Sequence, residues 1–297
     1  MNARFVVRIE VEHHDVLRYQ TDILALKFAQ ALYGVDRKVV ERVEQTGITI
    51  FDRLPDVGEA LIVPARGAVA SPEVLFIGVP PLGLFGYAEI RTFSRSVMRK
   101  LAAARPQVRD VAMTLHGRGF GLDEAEAFKA QLAGLLDAFE ADEVPPALEL
   151  VSIVESEPRT ADILRALLDE AIPTHHVIPG RSLQARETLQ ARSALKDVGE
   201  ASAAKPHVFV AMPFAPEFGD RFHYGIKGAV NAAGYLVSVR ISHPLLETLS
   251  PGSEIASTEQ HSSSPTYQQQ TRTYILRSVT LGDVEFGLFS SLRRLLI

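Results

Sequence analysis

Short apolar runs, each cut off by Gly or Pro and each followed by a helical stripe, recur along the first 172 residues. "EALIVPARG" (59–67) and "EVLFIGVPP" (73–81) hold apolar runs ended by Pro and Gly, of the kind that fill buried strands. "RFVVRIEVE" (4–12) alternates and is rich in Val and Ile, which predicts a strand. "VRDVAMTLHGRGFG" (108–121) predicts a strand ending in Gly, and "ALELVSIVE" (147–155) another strand. Between them, "DRKVVERVEQTG" (36–47) reads as a helix stopped at Gly47. "YAEIRTFSRSVMRKLAAAR" (87–105) carries Ile90, Phe93, Val97 and Leu101 at helical spacing. "DEAEAFKAQLAGLLDAFEA" (123–141) has Asp123 as N-cap, acids in its first turn, and a Phe128, Leu132, Leu135, Phe139 stripe. "TADILRALLDEAI" (160–172) is a further helix, and "TDILALKFAQALYG" (21–34) reads as a strand followed by a short helix. Strands alternating with helices predict an α/β fold: a mostly parallel sheet covered on both faces.

Four segments follow from this reading: an α/β domain over 1–180, a polar, Ala-rich helical linker over 181–205, a second unit opening at 206–240, and a tail at 241–297. Within the tail, 250–273 is dense in Ser, Thr and Gln and poor in large apolar residues, so it cannot bury enough surface to offset the entropy of ordering. A strand over Tyr274 to Val279 and a helix bearing Phe286, Leu288, Phe289, Leu292, Leu295 and Leu296 are expected beyond it. The change in composition at Ile241 also fits a frameshifted or truncated reading frame, in which 241–297 is not the native continuation.

Composition excludes several classes of function. The net charge of −5 offers no basic surface for nucleic acid. The absence of cysteine rules out disulfides and thiolate chemistry and fits a reducing, cytoplasmic compartment. No apolar window reaches the length of a membrane span. His13–His14 and His175–His176 are adjacent pairs without an acid at ligand spacing, so no metal site is expected, and no cofactor is called for.

Two stretches carry chemistry. In "LHGRGFGLDEAEAF" (115–128), Gly117, Gly119 and Gly121 stand between a strand and a helix. Such a loop either cradles a phosphate at a helix N-terminus or is a tight turn that packs the helix on the sheet. The spacing is not that of a dinucleotide fingerprint, and Asp123, Glu124 and Glu126 place negative charge where a phosphate would sit. The second stretch, "KPHVFVAMPFAPEFGDRFHYGIKGAVNAAGYLVSVR" (205–240), reads as strand, loop, helix and strand, with the loop at the strand's carboxyl end, where ligands bind in open α/β sheets. Met212, Pro213, Phe214, Asp220, Tyr224 and Arg240 are its candidate ligand-binding residues. Asp220 would serve equally as a helix N-cap, Tyr224 as a packing ring, and Arg240 as a surface charge.

The region from about 5 to 170, through "YQTDILALKFAQALYG", "GEALIVPARG" and "VRDVAMTLHGRGFGLDEAEAFKAQLAGLLDAF", resembles the macro-like N-terminal domain of leucine aminopeptidases. That resemblance implies a three-layer α/β/α fold related to ADP-ribose-binding macro domains. The metal-bearing catalytic half of the aminopeptidases has no counterpart here. "VFVAMPFAPEFGDRFHYGIKGAVNAAGY" resembles the start of a TIR-like domain related to nucleoside deoxyribosyltransferases, so the second part is expected to be an incomplete or divergent doubly wound unit. This second resemblance implies recognition of a nucleotide-like small molecule, NAD or a nucleoside, with N-glycosidic cleavage, in a defence or stress-response setting. Cleaving that bond builds positive charge on the ribose, which a carboxylate must stabilise. The stretch that carries that carboxylate in the family is missing here. Glu285 in "LGDVEFGLF" is the candidate catalytic replacement, with an ordinary first-turn acid as the other reading. The alternative function is a non-catalytic nucleotide sensor or assembly protein, compatible with a homo-oligomer.

Overall fold

The computed structural model describes residues 6–117, 121–179, 198, 202, 204–210, 221–239 and 274–276. The chain divides into two compact units, Met1–Pro206 and His207–Ile297.

In the first unit the strands are β1 (Val7–His13), β2 (Ile23–Phe28), β3 (Ala60–Pro64), β4 (Glu73–Gly78), β5 (Asp110–Thr114), β6 (Leu150–Glu155) and β7 (His176–Val177). They form one sheet in the order β3-β4-β2-β5-β6-β1-β7. The five central strands are parallel; β3 runs antiparallel to β4, and β7 antiparallel to β1. The helices are α1 (Gly34–Gln45), α2 (Tyr87–Ala104), α3 (Glu124–Glu140) and α4 (Pro158–Ala171).

Strand β2 shows why the sheet needs cover on both faces. Ile23, Leu24, Ala25 and Leu26 are all fully buried although successive side chains point to opposite sides. On one side Leu24 and Leu26 join Val74, Phe76 and Ala112 against Val39, Val40 and Val43 of α1. The other side is covered by α2 and α3, which carry β4 to β5 and β5 to β6 in the same direction along the sheet; right-handed crossovers of that kind lie on one face. The predicted stripes Ile90, Phe93, Val97, Leu101 and Phe128, Leu132, Leu135, Phe139 are buried there, each side chain contributing roughly 1.5–3 kcal/mol. The three-layer α/β fold expected of this part of the chain is the one observed.

Boundaries differ from expectation at two places. The first strand is described over Val7–His13 rather than 4–12. The short helix expected after β2 within 21–34 does not form; α1, the helix read over 36–47, begins at Gly34. Gln30 turns the chain with φ 57°, and its side-chain amide donates to the Val79 carbonyl at 3.2 Å, which holds Ala29–Tyr33 as a loop. Helical periodicity cannot register such a left-handed residue.

In the second unit β8 (His207–Val210) is followed by a π-helical segment, Arg221–Lys227, then α5 (Gly228–Ala232) and β9 (Leu236–Val239). Helix α5 is followed by Gly234 at φ 83°, a left-handed residue of the kind that ends helices. A third strand, β10 (Tyr274–Leu276), completes a parallel sheet in the order β10-β8-β9, pairing Tyr274 with Val208 and Leu276 with Val210. Of the helical linker expected over 181–205 only 198, 202, 204 and 205 are described, and the polar stretch at 250–273 and the helix expected after Val279 fall outside the described residues. Among the described residues, no helix is long and apolar enough to cross a membrane.

Candidate functional site

Strand β2 lies between β4 and β5. From β2 the chain leaves through α1 toward β3 and β4; from β5 it leaves through α3 toward β6, in the opposite direction. The carboxyl ends of β2 and β5 therefore flank a topological switch point, where diverging loops open a crevice in α/β sheets. Three features converge on it.

The first is a buried ion pair. Lys27 is the one charged residue in "ILALKF". Its Nζ lies 2.6 Å from Oδ2 of Asp36, in the first turn of α1, and both side chains are about 95% removed from solvent. Burial pushes the Asp36 carboxyl up, and the charge and hydrogen bond of Lys27 oppose that shift. The other carboxylate oxygen, Oδ1, is buried without a hydrogen-bond partner among the described residues.

The second is His116, just beyond β5 and 3% exposed. Its ring meets Phe93 edge to face at 4.6 Å and Phe85 at 6.4 Å. Nε2 is buried and unpartnered among the described residues. Burial, and then the Lys27 charge, hold the imidazole well below its ordinary value of 6.5, so it is neutral in the folded chain. An unfolded histidine gains a proton as pH falls through about 6.5 while this one does not. Stability is therefore present above that pH and is lost as pH falls below it. Denaturant titrations at pH 7.5 and 5.5 should show wild type losing more stability on acidification than His116→Phe, by about 1 kcal/mol; equal losses would contradict the assignment.

The third is the glycine loop. Gly117 has φ 95° and Gly121 φ 88°, a region glycine enters without strain. A Cβ on Gly117 would stand 2.6 Å from Cδ1 of Leu122. The Leu122 N–H donates to the Gly117 carbonyl, closing the loop. Asp123 caps α3 as expected, its Oδ1 accepting from the N–H groups of Ala125 and Glu126 at 3.0 and 3.1 Å. The Asp123 N–H in turn donates to the Tyr87 hydroxyl at 2.9 Å, fixing the far end of the loop to the first turn of α2. Asp123 thus already occupies two amides of the first helical turn. Residues 118–120, Gly119 among them, lie outside the described residues.

In the second unit, Tyr224 falls in the π-helical segment Arg221–Lys227. Met212, Pro213, Phe214, Asp220, Arg240 and Glu285 lie outside the described residues. Among the described residues no group of three or more His, Asp or Glu side chains could hold a metal ion. His175 Nε2 is paired with Asp169 at 2.7 Å on the surface, and His14 packs on the ring of Tyr19. The sequence reading did not single out Lys27, Asp36 or His116; the signal for the pair is a single lysine inside an otherwise apolar interior strand.

No protein-family model matches this chain, and no curated protein matches it. Solved structures similar to it include macrodomains. The Oceanobacillus iheyensis macrodomain with ADP is 16% identical, with a TM-score of 0.45 over 56% of this chain and 92% of that one. The Trypanosoma brucei macrodomain in complex with ADP-ribose is 16% identical, with a TM-score of 0.43 over 54% and 69%. A tomato leucine aminopeptidase variant is 11% identical, with a TM-score of 0.37 over 58% of this chain and 38% of its own. At these identities and scores the likeness concerns fold and carries nothing about ligand.

Proposed function

We propose that the first unit recognises a nucleotide-type ligand at the switch point between β2 and β5. The observation that carries this reading is the coincidence of that switch point with Gly117 and Gly121, whose left-handed conformations let backbone approach a ligand closely. Phosphate oxygens would lie against the loop. The Lys27–Asp36 pair is internally neutralised and His116 is uncharged, so the base of the crevice suits the uncharged sugar or base better than a phosphate. ADP and ADP-ribose, named in the macrodomain structures above, are the first ligands to try.

The fuller form of the reading adds cleavage of an N-glycosidic bond, in NAD or a nucleoside, by the second unit. What favours it is the order β10-β8-β9, in which β8 is flanked by strands added in opposite directions, so that its own carboxyl end, leading into Met212, Pro213 and Phe214, lies at a second switch point. Asp220, Tyr224 and Arg240 would complete that cleft, and Glu285 would supply the carboxylate.

Calorimetric titration with ADP-ribose, ADP and AMP tests the first reading. Binding by wild type, weakened about 10-fold in Gly117→Ala through backbone strain and the clash with Leu122, is expected; no heat with any of the three overturns it. Chromatography for base released from NAD or deoxynucleosides tests the second, with release abolished in Glu285→Gln. Binding without release leaves a nucleotide sensor.

A further inference from the structure

The short segment that precedes the second unit is fastened to α3 by a buried carboxylate. Glu126, the third residue of α3, accepts a hydrogen bond from the Ser202 hydroxyl on Oε2 and from Lys205 Nζ on Oε1 at 3.1 Å, and Lys129 Nζ lies 3.5 Å from the same oxygen. Ser202 is 1% exposed. A second fastening lies one element away: Arg91 of α2 grips Asp137 with two nitrogens at 2.6 and 2.9 Å and donates a third bond to the Val198 carbonyl at 3.0 Å. Burial alone would raise the Glu126 carboxyl, but its bonds to Ser202 and Lys205 and the two lysine charges outweigh burial and hold it lowered. Glu126 is thus a charged, fully engaged anchor rather than a solvated helix-start acid.

Its position makes the anchor more than structural. Glu126 sits within the first turn after the glycine loop, a few ångströms along the axis from the Asp123 cap. Lys205 is followed by Pro206 and then by His207, the first residue of β8. Lys205 therefore binds at the crevice end of α3 and precedes β8 by two residues in the chain. With Lys205 docked, the acidic start of α3 carries one more cation, and an anion there is bound more tightly; with Lys205 undocked, Glu126 faces that anion less well compensated. Coupling of this kind is reciprocal: if docking tightens the ligand, the ligand tightens docking by the same factor.

We infer that Lys205 is a coupling residue, whose docking on Glu126 and the binding of an anionic nucleotide beside Gly117 and Gly121 favour each other, so that occupancy of that site fixes the segment 204–205 at the end of the first unit. The inference rests on the ligand reading above.

Hydrogen exchange and calorimetry test it on the full chain, with ADP-ribose and ADP as probes. The reporter is the Lys205 amide, which donates to the Ser202 carbonyl at 3.3 Å. Saturating ADP-ribose should slow exchange at 204–205 by about 5-fold, and Lys205→Gln should weaken ADP-ribose by the same factor. Lys205→Arg should restore affinity, and the effect of Lys205→Gln should fade in 0.5 M salt, as it would not for a change in packing. Without ligand, Glu126→Gln should speed exchange at 204–205; an unchanged rate overturns the anchor. Binding of ADP-ribose with exchange unaltered, or with affinity indifferent to Lys205→Gln, overturns the coupling and leaves the ligand reading standing. Failure of ADP-ribose and ADP to bind overturns both.

Discussion

Lys27→Ala should lower the unfolding free energy of the first unit by about 3–5 kcal/mol, measured by denaturant titration. The substitution removes the only hydrogen-bond partner, among the described residues, of a carboxylate that is about 97% removed from solvent, 2.6 Å from the ammonium it loses. Deep burial sets the magnitude. The Arg37–Glu41 pair on the outer face of α1 is nearly as short, 2.7 Å, but both side chains are half exposed. Water already solvates each partner there, and Arg37→Ala should cost no more than about 0.5 kcal/mol. Most of the Lys27→Ala cost is the penalty of an orphaned buried charge rather than the worth of the pair, so replacing both residues, Lys27→Met with Asp36→Leu, should recover most of the loss. A cost below about 1 kcal/mol for Lys27→Ala would mean that water reaches Asp36, and with it the base of the crevice.

The same pair marks where sequence stops being readable. Lys27 stands out in "ILALKF" because a lysine in a strand buried on both faces needs a partner. The partner is nine residues on, in the helix read over 36–47, and the two meet because the left-handed turn at Gln30 carries the chain from β2 into α1, which no periodicity shows. Elements whose signals are local were legible: β4 as an apolar run cut by Gly78, α3 by its Asp123 cap and its stripe. The antiparallel entry of β3 was less so, because strand direction is set by the short link from Ala65 to Pro72, too short for a crossover, and not by the composition of the strand. At the site, the glycines of 117–121 were visible as a loop, but the neutrality of His116 comes from Phe93 on a different helix and from Lys27 on a different strand. The bonds from Glu126 to Ser202 and Lys205 join residues 76 and 79 positions apart and leave no local trace at all.

Gly134→Ala should cost about 3 kcal/mol, although a propensity argument gives the opposite sign. In the middle of a helix, Ala is favoured over Gly by roughly 1 kcal/mol. A Cβ at Gly134, however, would stand 2.0 Å from the carbonyl oxygen of Arg91 and 3.0 Å from Cβ of Ser94. The carbonyl is backbone in the middle of α2 and cannot rotate aside, so relief requires the two helices to move apart and open the layer that holds Phe93 and Phe128. The contact outweighs the propensity. Gly225 is the matching control: a Cβ there meets nothing within 4 Å, and Gly225→Ala should be neutral or slightly stabilising. Thermal unfolding of the two variants beside wild type separates the cases, and a stable Gly134→Ala would show that α2 and α3 are not in close register. The consequence reaches the site, because the α2–α3 fit sets both the Tyr87 hydroxyl against the Asp123 N–H and Arg91 against Val198. Forcing the helices apart should therefore weaken nucleotide binding at the loop and speed exchange at the segment before β8 together, whereas Gly117→Ala, which strains the loop alone, should weaken binding and leave that segment's exchange in the unliganded chain unchanged.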